Sequence, residues 1–157
     1  MANFQSIQMT NPRAPVSGPG MGGRSLKVER AEVNLATLGA LAVGDTVELF
    51  KLHPKFRVRS GFVKVVGGSG AGTTYTVGDR GGGGAAADPA RYFASASMAA
   101  AGSNVTLAEA GRDFLTSPNT RGGSGQYTTV VLTVGGATTN TTGSIIVVLD
   151  GYVEEPA

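Results

Sequence analysis

The chain has 157 residues, 25 of them glycine and none cysteine or tryptophan, so glycine stands at about 16% against a usual share of about 7%. With 41% hydrophobic and 15% charged residues it has enough apolar material for one domain with a core, which excludes wholesale disorder. The missing cysteines exclude a disulfide scaffold, thiolate catalysis and a Cys-based zinc site, and a net charge of +2 is too small to point to nucleic acid. The longest apolar run, 145–149, falls well short of the roughly 18 residues of a membrane span. The opening MANFQSIQMTNP lacks the basic-then-apolar form of a leader. The expectation is a soluble protein, made where it works, with no membrane partner.

Residues 1–25 read as an arm. Pro12, Pro15 and Pro19, with Gly18, Gly20, Gly22 and Gly23, oppose both helix and central strand. The apolar residues Phe4, Ile7, Met9, Val16 and Met21 are scattered. Packing among themselves could not offset a backbone entropy cost of about 1–2 kcal/mol per residue. The arm is expected to be held by a neighbouring chain, with one domain over 26–157.

From residue 26 the pattern becomes short runs of β-branched and aromatic residues separated by Gly-rich or Thr/Asn-rich turns, the form of an all-β sandwich or barrel with about eight strands. Leu26 and Val28 share one parity and Ala31, Val33 and Leu35 the other, which predicts a bulge near Glu29 and Arg30. A strand covers 46–52. After His53 and Pro54, residues 55–66 place Phe56 and Val58 on one face, and Lys55, Arg57 and Arg59 on the other. Val63 and Val65 follow on the opposite parity, so this strand should bulge at Ser60 and Gly61 and could serve two sheets. Residues 73–77 form a short strand. The segment 88–102 reads either as a short helix, with Asp88 capping and Pro89 at the first position, or as a strand through Tyr92 to Met98. Thr106 and Glu109 have capping-box spacing, yet Val105 and Leu107 suit a short strand equally. The clearest strands are 127–134 and 144–153, the second apolar on both faces, as in the middle of a sandwich or at a subunit interface. They are expected to pair antiparallel.

Catalytic patterns do not assemble. His53 is the single histidine and sits at a strand end, where it reads as a turn residue. The glycine clusters lack the lysine of a phosphate-binding loop, and neither Ser69 nor Ser124 has the final glycine of a nucleophile elbow, so both read as loop spacers. The eleven carboxylates are mostly single, at strand ends and turns, and no calcium loop is present. No catalytic residue, metal or cofactor is expected. Seven of the thirteen basic residues lie between Lys27 and Lys64. The ladder of Lys55, Arg57 and Arg59 is either a solvated face that resists edge pairing or a contact for an acidic partner surface.

Several stretches in order carry a resemblance: GDTVELFKLHPKFRVRSGFVKVV at 44–66, TTYTVGD at 73–79, D-x-x-RYF from Asp88 to Phe93, and TTVVLTVGGATTNTTGSIIVVLDGYV at 128–153. Together they resemble the small all-β structural proteins of tailed-bacteriophage virions, of the capsid decoration or cement type. The resemblance spans residues 35–153. This chain departs from that pattern in its His53-Pro54 turn, its 81–87 insertion and its arm. The resemblance implies an antiparallel, jelly-roll-like β-sandwich with at most one short helix, sitting on the outside of a capsid as a dimer or trimer. It also implies synthesis in the host cytoplasm and a role in strengthening joints between major capsid proteins. The expected contacts are Phe4, Ile7, Met9, Pro12, Pro15 and Val16 of the arm, with Lys55, Arg57 and Arg59. A second reading is a receptor- or glycan-binding β module of a phage tail or fibre, which would use exposed aromatics among Tyr75, Tyr92, Phe93, Tyr127 and Tyr152.

Overall fold

The alternating apolar residues of the sequence meet in one layer between two sheets. The computed structural model describes residues 3–5, 24–53, 56–81, 87–97, 104–106 and 127–154. Their strands are β1 (Asn3–Gln5), β2 (Arg24–Asn34), β3 (Thr46–Leu52), β4 (Phe56–Val66), β5 (Thr74–Asp79), β6 (Asp88–Ser97), β7 (Asn104–Thr106), β8 (Thr128–Gly135) and β9 (Ser144–Glu154). One sheet has the order β1-β3-β8-β5-β6 and the other β2-β9-β4-β7. All pairs are antiparallel except β1 with β3. The expected all-β sandwich is thus observed.

One helical turn, α1 (Leu35–Leu38), follows β2. The Asn34 side chain accepts from the Ala36 amide at 2.9 Å, and Gly39, at φ +84°, ends the turn by donating its amide to the Leu35 carbonyl. Of the two readings of 88–102, the strand is the one observed over the described part, where β6 (Asp88–Ser97) is an extended edge strand. An edge tolerates Pro89, which has no amide to give, and burial of both Tyr92 and Phe93 outweighs the alanine-rich helix propensity.

The core is continuous. Ala31 and Val33 of β2, Phe56, Val58, Val63 and Val65 of β4, and Ile145, Val147 and Leu149 of β9 face Val47, Leu49 and Leu52 of β3, Tyr75 and Val77 of β5, and Val130, Leu132 and Val134 of β8. The change of parity along β4 is a bulge. Val58 pairs with Gly151 and Ser60 with Asp150, so Arg59 is the extra residue. β4 nevertheless stays in one sheet and turns no corner. The bulge expected in β2 is absent, since its ladder with β9 runs from Arg24–Glu154 to Asn34–Ser144 without a shift. Val28 is simply an exposed apolar residue on the outer face, 66% accessible. Nor do the two clearest strands pair. β8 lies between β3 and β5, β9 lies between β2 and β4, and the segment 136–143 carries the chain from one sheet to the other.

Gly61 faces inward, where a Cβ would stand 2.6 Å from the Val148 carbonyl oxygen and 2.9 Å from Leu149 Cδ2, with the Phe93 ring just beyond. The substitution Gly61→Ala should lower stability by about 2 kcal/mol through overpacking, read as a lower urea midpoint with an unchanged slope.

Candidate functional site

Of the expected contact residues, Phe4, Arg57 and Arg59 lie among the described ones. In β1, Asn3, Phe4 and Gln5 stand opposite Thr46, Val47 and Glu48 of the same chain. Ile7, Met9, Pro12, Pro15 and Val16 lie outside the described residues, as does Lys55. Arg57 stands opposite Tyr152 in the β4–β9 ladder. Arg59, at the bulge, forms an ion pair with Asp150, and the Ser60 hydroxyl donates to the same carboxylate oxygen at 3.1 Å. The charge of Arg59 is therefore matched within its own domain.

The register places outward residues of the β2 sheet in rows: Glu32, Ile146 and Lys64; Arg30, Val148 and Phe62; Val28, Asp150 and Ser60. Ile146, Phe62 and Tyr152 are half-buried and Val148 is buried. Arg30 and Glu32 pair with each other at 3.4 Å. This is a mixed apolar and charged face, centred on the outer side of β9. The opposite face of the molecule, outside the other sheet, carries Thr46, Thr76, Thr129 and Thr133 around the Glu48–Arg80 ion pair of 2.7 Å.

Two of the sequence motifs turn out to be halves of one lock. In TTYTVGD, Gly78 leaves room for the β6 backbone, because a Cβ there would come within 1.9 Å of the Asp88 carbonyl oxygen. Asp79 points into the interior with 1% of its surface accessible, accepts from the Gly81 amide at 3.1 Å and meets Arg91 Nε at 2.8 Å. In D-x-x-RYF, Asp88 accepts from the Ala90 amide at 3.0 Å, Arg91 reaches Asp79, and Tyr92 and Phe93 enter the core. Sequence reading treated Asp79 as a strand-end carboxylate. Its burial shows only once Arg91 comes across from β6.

The far end of the sandwich is built from uncharged loops. The Asn140 amide donates to the Ser69 carbonyl at 2.9 Å, and the Leu41 amide donates to Thr139 Oγ1 at 2.8 Å. Ser69 is fully buried, so it is a structural contact of this loop pair and not a spacer. Segments 34–44, 66–78 and 133–144 contain no charged residue. His53 closes a turn, with its carbonyl accepting from the Phe56 amide at 2.9 Å and its ring edge-on to Tyr127 at 5.5 Å. Tyr75, Tyr92 and Phe93 are buried, which leaves Tyr127 and the half-buried Tyr152 as aromatic contacts for a glycan. Among the described residues, no group of three or more His, Cys, Asp or Glu is placed to hold a metal ion.

No known protein family matches the sequence, and no curated protein matches it. Two solved structures share its fold. A chain of the capsid of Ralstonia phage GP4 superposes with a TM-score of 0.68 at 20% identity, over 99% of this chain and 100% of that one. A chain of the cyanophage Pam1 capsid asymmetric unit gives 0.59 at 20% identity, over 90% of this chain and 94% of that one. At such identity the likeness is one of fold.

Two measurements follow from the buried polar groups. Arg91→Ala leaves the Asp79 carboxylate without its cation in the interior and should cost about 3 kcal/mol in chemical unfolding, whereas Arg59→Ala, at an exposed pair, should cost less than about 1 kcal/mol. Burial pushes the Tyr75 hydroxyl above its ordinary value of 10.0, with Ser69 acting in the opposite direction. The folded state thus favours the neutral phenol, and the stability held below pH 10.0 falls as pH rises through the folded-state value. Tyr75→Phe should therefore lose less stability than the parent between about pH 9 and about pH 11.

Proposed function

We propose that this chain is a non-enzymatic structural protein of a tailed-phage virion, bound to the outer surface of the capsid and stabilising contacts between major capsid protein subunits. One observation carries the reading. The fold is shared from end to end with a chain found in a phage capsid, over 99% of this chain and 100% of that one, so the two are nearly equal in length. Counting from β2, the first, eighth, third and sixth strands form one sheet and the second, seventh, fourth and fifth the other. That order supports a jelly-roll module wound from two Greek keys, an architecture that viral capsid domains use.

Attachment would run through the arm and the basic residues next to the His53 turn. β1 illustrates the chemistry open to the arm, since an extended segment gains main-chain hydrogen bonds at a sheet edge. Lys55 and Arg57 supply positive charge for an acidic surface, with Arg59 contributing less because Asp150 already holds it. Many copies on a repetitive shell, as dimers or trimers, would turn weak contacts into strong retention.

The test is co-sedimentation with capsid shells from the same source, comparing the full chain with one lacking residues 1–23. The cut falls before Arg24 because β2 begins there, two residues earlier than the expected domain boundary. The full chain should bind saturably, and the shortened chain should keep its thermal transition while losing attachment. Equal binding by both would remove the arm from the contact. Binding by neither would overturn the capsid reading.

A further inference from the structure

We propose that β1 is exchanged between copies: in the assembled protein, the edge of β3 at Thr46–Glu48 accepts the N-terminal strand of a second copy of this chain. The inference concerns self-association and does not rest on attachment to a capsid.

Three features converge on this edge. First, among the described residues β1 is the outermost strand of its sheet and pairs through Asn3–Thr46, Phe4–Val47 and Gln5–Glu48. The pairing is parallel, so no tight turn ties β1 to β3, and a strand from another copy would make the same ladder. Second, β1 belongs to the sheet of β3 and β8, but the chain continues into β2, in the other sheet. Asn34 and Ser144, at the end of β2, lie at the same end of the sandwich as Thr46, since the Leu35 amide bonds the Gly143 carbonyl and the Val134 amide bonds the Asp45 carbonyl. Arg24, where β2 starts, is therefore at the opposite end.

Third, the intervening segment 6–23 is longer than closure within one copy needs. From Gln5, opposite Glu48, the return to Arg24 runs most of the length of β2, about 26 Å, and crosses about 10 Å between sheets. Eighteen residues reach up to about 60 Å. Closure within one copy needs about 36 Å of it, so about 24 Å of maximal length is in excess and allows the strand to enter an adjacent copy instead. Closed and exchanged forms make identical β1–β3 contacts, so local concentration decides between them. An oligomer holds that concentration high, which makes strand exchange a low-cost route to assembly.

The lack of native cysteine makes the test direct. Asn3 and Thr46 are register partners, so full-length Asn3→Cys and Thr46→Cys chains are co-refolded in equal amounts, oxidised mildly and run without reductant. Exchange predicts a covalent dimer in the mixture, well above that of either variant alone and lost on reduction. It also predicts covalent oligomers of the double variant N3C/T46C. Two results would overturn the proposal. In one, the double variant closes as a monomer with both thiols consumed while the mixture yields no dimer. In the other, neither arrangement forms a disulfide, which would remove β1 from this edge altogether.

Discussion

The apolar layer between the two sheets sets the terms for everything else in this protein. Side chains from both inner faces fill a gap of about 10 Å, and nearly every connection crosses it. Among the described strands, only β5 and β6, consecutive in the chain, are also neighbours in a sheet. Each crossing places residues distant in sequence against one another, as Gly61 of β4 lies against Leu149 of β9 and the ring of Phe93 from β6. The bulge at Arg59 serves the same layer, because without the extra residue either the Phe56–Val58 pair or the Val63–Val65 pair would face water.

The two ends of the sandwich are secured by different means. At one end, uncharged loops interlock through backbone groups, with Ser69, Thr73 and Thr139 buried among them. Near the end of β5, a buried carboxylate meets an arginine from β6, backed by a glycine that lets the strands approach. At the first end the buried Asp45 carboxylate accepts from the Ala42 amide at 2.9 Å, whereas Asp79 in the interior makes Arg91 obligatory. The outer faces are then left to differ, one threonine-rich and one carrying Ile146, Val148 and Phe62 among paired charges. The second is where an apolar strand continues to the surface.

Residue alternation by itself determined the all-β class, the extent of β3 and the bulge in β4 to within one residue. Those properties depend on which side of a strand each residue occupies, and side chains alternate wherever a strand runs. Tertiary structure alone decided which strands pair. β8 and β9 are adjacent in sequence and equally apolar, yet each occupies the middle of a different sheet, because 136–143 is long enough to cross and a central strand needs partners on both sides. It also decided that 88–97 is extended, that Asp79 and Ser69 are buried, that Arg59 is neutralised by Asp150, and that Asn3–Gln5 can dock on β3. In each case the deciding partner lies far along the chain, where local pattern carries no record of it.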